Sequence, residues 1–90
     1  MRIVDVQTRS LFDKHYRKLP KKLKEVAKLK EAIFRADPYH PSLRTHQLGG
    51  KDKCAWAFWI NQKYRIKFVF LDASQSRVLF LDVGTHDIYE

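Results

Sequence analysis

An α+β fold is what this sequence predicts: an N-terminal strand, a helical hairpin and an antiparallel three-stranded meander, with the helices packed on one sheet face. Three observations lead there. Apolar residues between Leu11 and Phe34 recur at three-to-four spacing and are interrupted at Pro20. From Ala55 onward the chain turns to aromatic and β-branched runs separated by short polar stretches. A chain of 90 residues, 44% hydrophobic and 13% aromatic, suffices for one core, so residues 1–90 read as a single domain.

Each element has its own warrant. Residues 3–7 are short and β-branched, the mark of a strand. Thr8 or Ser10 can cap a first helix whose Leu11, Phe12, His15, Tyr16 and Leu19 share a stripe. Pro20 breaks that helix and suits the first turn of the next. Residues 21–36 place Leu23, Val26, Ala27, Lys30, Ile33 and Phe34 along one side, the Lys30 stem crossing the apolar stripe. Asp37-Pro38 ends this helix, because the residue before proline is pushed out of helical geometry. Residues 39–53 read as a loop containing Pro41 and Gly49-Gly50, anchored by Leu43 and Leu48. Strands are expected over 55–60, 64–71 and 77–83, with Asn61-Gln62 and residues 72–76 as turns.

Alternation assigns the faces. In the middle strand Tyr64, Ile66, Phe68 and Phe70 point one way, while Arg65, Lys67, Val69 and Leu71 point the other. The first set is core. The second begins with two cations opposite the small residues Ala55 and Ala57, so Arg65 and Lys67 are expected in a shallow dish. A plain solvated sheet face would carry the same pattern.

Composition bounds the function. Lys and Arg total 18 against 10 acids, a net charge of +8, which favours a polyanionic partner such as nucleic acid or an acidic protein. The competing reading is a basic helical face that only keeps the chain soluble. Cys54 is the sole cysteine, so no disulfide or cysteine–zinc framework exists, in keeping with a reducing cytoplasm. No apolar run approaches membrane length and the N-terminus turns polar too early for a signal peptide. His15, His40, His46 and His86 lack close ligand spacing, so no metal is expected, and no phosphate or dinucleotide fingerprint calls for a cofactor.

What remains is a set of proton-transfer groups and cations. Arg44 and His46 stand in the loop, with Lys51 and Lys53 beyond; Arg65 and Lys67 lie in the middle strand; His86, Asp87 and Tyr89 follow the last strand. Metal-free RNA cleavage needs such a set: a base for the 2′-hydroxyl, a cation for the phosphorane, and an acid for the leaving 5′-oxygen. Histidine suits both proton roles, because its unperturbed pKa of about 6.5 lies near working pH. Arginine contacts two phosphate oxygens at once, whereas lysine acts as a point charge. Each residue also has a structural reading: His46 bonding the loop backbone, His86 pairing with Asp87, Tyr89 folding back on the sheet.

The segments KLPKKLKEVAKLKEAI, DPYHPSLRTHQLGG, AWAFWI, YRIKFVF and LDVGTHDIYE, in this order and spacing, resemble the RelE/ParE superfamily of toxin–antitoxin toxins, particularly the RelE/YafQ-like mRNA interferases. The resemblance runs nearly end to end. It implies a ribosome-dependent endoribonuclease, with the ribosome and mRNA as partners, no membrane, and a cognate antitoxin forming a hetero-oligomer. Under it Arg65 matches a phosphate-contacting arginine, His86 a C-terminal histidine acting as acid or base, and His46 the loop histidine of the YafQ-like branch. Tyr89 falls near a C-terminal aromatic position. His46 is then the candidate base, Arg65 the clamp and His86 the candidate acid, with Arg44, Lys51, Lys53, Lys67 and Asp87 toward RNA. The chain departs from the pattern too. FWINQK stands where the YafQ-like branch has a further histidine and aspartate, and the YoeB-like glutamate has no counterpart. A ParE-like gyrase inhibitor and an inert RNA- or antitoxin-binding module are the alternatives.

Overall fold

Pro20 and Pro38 punctuate the helical half of the chain. The computed structural model describes residues 2–49 and 54–89 and, for His86 and Tyr89, the backbone alone. Strand β1 (Asp5–Thr8) leads into α1 (Ser10–Arg17) and α2 (Lys21–Ala36). The bounds of α2 coincide with expectation: Pro20 sits just before it at φ −57°, and Asp37 ends it in extended geometry. The cap of α1 does not match. Arg9, rather than Thr8 or Ser10, holds the N-cap position with no side-chain cap bond. Thr8 is committed to β1, where it pairs with Phe80, and Arg9 sends its Nε to the Leu81 carbonyl at 2.8 Å.

The remaining strands are β2 (His46–Gln47), β3 (Trp56–Trp59), β4 (Tyr64–Phe70) and β5 (Arg77–Thr85). They form one sheet in the order β1-β5-β4-β3-β2. The β2–β5 neighbours are antiparallel, whereas β1 runs parallel to β5 and begins by pairing Asp5 with Arg77. The expected meander is therefore present with one strand added. The segment read as loop holds a 3-10 turn (Pro41–Leu43) and β2, two residues laid on Ala57 and Trp56.

Helices and sheet enclose an aromatic core. Phe34 of α2 is fully buried, stacked on Phe58 at 4.5 Å and meeting Phe68 edge-on at 4.9 Å. Phe12 of α1 packs on Phe80 at 5.3 Å. Leu43 is fully buried in this core, and Leu48 joins a second cluster of Ala55, Ala57, Val69 and Leu81. Both expected anchors thus pin the segment between α2 and β3. The sheet is irregular at one place. Lys67 pairs with Asp82 but Phe68 with Phe80, so Leu81 is an extra residue on β5. At this bulge the Asp82 carboxylate accepts hydrogen bonds from His15 Nδ1 at 2.6 Å and from the Val83 amide at 2.8 Å.

Candidate functional site

The candidate residues collect on the sheet face that the helices leave uncovered. Side chains on one rung share a face, and two neighbouring rungs matter. One holds Trp59, Arg65 and Gly84; the other holds His46, Ala57, Lys67 and Asp82. The register of four strands thus brings the loop histidine, both strand cations and the start of the C-terminal segment to one end of one surface.

Arg65 departs from the expected open dish. It is only 7% exposed, and Lys67 only 8%. Burying a guanidinium requires partners, and Arg65 has them. Its Nη1 donates to the Asn61 carbonyl at 2.7 Å and to the Tyr64 carbonyl at 3.2 Å. Its Cζ lies 3.9 Å from the centre of the Trp59 ring. Beside it, Leu48 and Leu81 close over the small alanines. The face is filled because the expected gap is occupied by stacked and folded-over side chains.

Arg44 reaches the same ring from the loop, its Cζ 4.7 Å from the Trp59 centre. Its backbone is left-handed, φ 49° and ψ 40°, at the end of the 3-10 turn. Asn, Asp and Gly adopt that conformation readily and arginine seldom does. The Arg44 carbonyl receives Nδ1–H of His46 at 2.8 Å. A carbonyl can only accept, so the bonded His46 carries its proton on Nδ1 and the neutral ring keeps its basic lone pair on Nε2. The structural reading of His46, a bond to the loop backbone, is therefore met, and that same bond orients a candidate base.

The C-terminal segment turns back beside Arg65. After Thr85 the chain forms a 3-10 turn over His86–Tyr89. Gly84, on the rung of Arg65, faces Ile88 so closely that a Cβ there would lie 2.7 Å from Ile88 Cγ2. Only glycine leaves room for the turn to close over the sheet. Asp87 is exposed in this turn. The side chains of His86 and Tyr89 lie outside the description, as do Lys51 and Lys53.

Two participants escaped the sequence reading. Trp59, in contact with both arginines, shares the face of Ala55 and Ala57 by period-two alternation, but its contact with Arg65 depends on the hairpin register. The His15–Asp82 pair depends on the β5 bulge, for which no residue pattern gives notice. His15 had read as a packing residue on the α1 stripe; it is half-exposed and bonded to a carboxylate. Among the described residues no cluster of three or more His, Cys, Asp or Glu could hold a metal ion, and no helix is long and apolar enough to cross a membrane. Surface hollows lie elsewhere, one lined by Arg2, Ile3, Val4 and the end of α2, another by Asp13, Tyr16, Lys28 and Glu31, and neither includes Arg44, His46 or Arg65. The candidate site is an open surface.

No family model matches this chain. No curated protein sequence does either. Solved structures do. The YoeB/ParE toxin from Agrobacterium tumefaciens superposes with a TM-score of 0.76 at 12% identity, over 92% of this chain and 99% of that one. The archaeal RelE–RelB complex from Pyrococcus horikoshii gives 0.71 at 15% identity, over 94% and 96%. YafQ from E. coli gives 0.71 at 19% identity, over 93% and 94%. Each likeness spans both chains almost completely, helical pair and sheet together: this chain has the fold of the RelE/ParE superfamily toxins.

Proposed function

We propose that this chain is the toxin of a toxin–antitoxin pair and an endoribonuclease that cuts translated mRNA on the ribosome by metal-independent acid–base chemistry. The observation that carries the reading is the convergence of Arg44, His46, Arg65 and the His86–Tyr89 turn on one uncovered sheet face of a chain with net charge +8. A toxin fold shared with RelE and YafQ supports it.

The division of labour follows from bonding. His46, its Nδ1–H held by the Arg44 carbonyl, takes the 2′-hydroxyl proton on Nε2. Both hydrogen bonds of Arg65 leave from Nη1, so Nε and Nη2 retain a forked geometry for a phosphate. His86 is the acid that protonates the leaving 5′-oxygen, and Tyr89 is the fourth member of the proposed catalytic set. Arg44, Lys51, Lys53, Lys67 and Asp87 contact RNA around them. An open surface supplies little orientation of its own, which suits a substrate already held by the ribosome. The partner that neutralises the toxin is an antitoxin, as RelB is the companion of RelE in the archaeal complex. Place of action is the cytoplasm.

Mapping mRNA 5′ ends shortly after induction tests this, beside the His86→Ala variant. Cuts within translated frames that vanish in the variant are expected. Intact messages with arrested growth and DNA-damage signalling would replace the reading with gyrase inhibition, and intact messages with normal growth would leave an inert binding module.

A further inference from the structure

Among the described residues, Trp59 is the one aromatic ring that both site arginines touch. Arg65 is fixed on it by two backbone carbonyls and burial. Arg44 is held differently. It is exposed, it sits on a left-handed loop residue, and among the described residues the ring is the only partner of its guanidinium. Strained backbone persists where the surroundings require it, and here it aims an exposed cation at an indole while its own carbonyl orients His46.

We propose that Trp59 is a stacking platform for a nucleobase of single-stranded RNA, and that the base takes the place of Arg44 on the ring. The inference deepens the endoribonuclease reading and rests on it. An exposed guanidinium on an indole is a weak contact. A base offers a larger flat surface, and base–aromatic stacking is the stronger interaction. The displaced Arg44 then reaches the phosphate next to that base, where a forked donor is best used. Arg65 keeps its own contact with the indole, held there by its two carbonyl bonds. Because every base has a π-face, the platform grips without choosing a sequence. His46 follows Arg44 by two residues, so the stacked nucleotide is a neighbour of the attacked 2′-hydroxyl.

The test uses the full chain carrying Trp56→Phe, so that Trp59 is the sole tryptophan. Its emission is followed while adding a 2′-O-methyl hexanucleotide, which cannot be cut by 2′-hydroxyl attack, or the same backbone without bases. The base-bearing strand is expected to quench Trp59 and to bind about tenfold more tightly than the abasic one. Trp59→Phe should keep most of that preference and Trp59→Leu should lose it, binding by these tryptophan-free variants being read from the anisotropy of dye-labelled strands, with circular dichroism verifying that each variant folds. Equal binding of the two strands with unchanged emission overturns the proposal, as does no binding of either at low salt. Equal quenching by an acidic peptide overturns it too, assigning the ring to a protein partner. Since no cleavage is read, cuts mapped in cells with no quenching here would remove the platform and leave the nuclease standing.

Discussion

Replacing Arg65 with alanine tests whether this residue holds the sheet end together before it does any chemistry. Three contacts vanish: the 2.7 Å bond to the Asn61 carbonyl, the 3.2 Å bond to the Tyr64 carbonyl, and the stack on Trp59 at 3.9 Å. They do not count equally. The Tyr64 carbonyl also accepts the Ile60 amide at 2.9 Å, so it keeps a partner. The Asn61 carbonyl lies in an exposed turn that water can reach. One bond from a charged donor is worth about 1.5 kcal/mol at the low end. The stack adds about 1 kcal/mol, and release of the buried charge returns part of the total. A net loss of about 2 kcal/mol follows, lowering Tm by roughly 8–16 °C for a domain of this size. Arg65→Lys keeps the charge but neither the fork nor the flat stack, so it should fall between. Thermal unfolding followed by circular dichroism reads both. A shift under about 4 °C for Arg65→Ala, equivalent to about 1 kcal/mol or less, would refute the argument and return Arg65 to being a purely functional cation. If the shift is as large as expected, loss of growth arrest in this variant speaks for unfolding as much as for catalysis, and His86→Ala is the cleaner probe.

Phe34→Ala, which empties the centre of the core, should destabilise by about 3–5 kcal/mol in urea titration, most of the margin of a small domain. Gly84→Ala should cost about 1–3 kcal/mol by driving a methyl group into Ile88; adding Ile88→Ala should restore part of it, and a double variant no more stable than the single would exclude this contact as the cause. A double-mutant cycle on His15 and Asp82 should return a coupling of about 1–2 kcal/mol at neutral pH, and strict additivity would show that the 2.6 Å contact does not pin α1 to β5. Asp72 accepts hydrogen bonds from the Ser74 and Ser76 hydroxyls and from the Ser76 and Arg77 amides, which hold its carboxyl well below the usual carboxylate range. A folded-state pKa below the unfolded one adds stability that is complete at neutral pH and fades as pH falls below about 4. The advantage of the native protein over Asp72→Asn should therefore shrink between pH 5 and pH 2, and a gap constant across that range would count against the carboxylate.

The parts of the fold that local chemistry determines were legible. Two prolines bounded α2, aromatic and β-branched runs located β3, β4 and β5, and period-two alternation put Arg65 and Lys67 on the face away from Phe68. What stayed hidden depends on pairing between distant segments. Strand β2 is two residues long and exists because Ala57 and Trp56 offer it hydrogen bonds. The burial of Arg65 follows from the rung that sets it against Trp59, and the His15–Asp82 bond from an extra residue in β5. The site followed the same division. Its residue types could be read one at a time, whereas their assembly into a single surface is a property of register.

The parallel β1–β5 edge has a consequence for how the protein is made. Asp5 and Arg77 are 72 positions apart, and among the described residues β5 is the one strand beside β1. A nascent chain that has not yet exposed β5 has a helical hairpin with only part of its sheet, and closing so long a loop is entropically slow. The surface that carries Arg65 also lacks its Gly84 rung until then. The candidate surface is thus incomplete in every shorter intermediate, and its assembly waits for the last strand to dock.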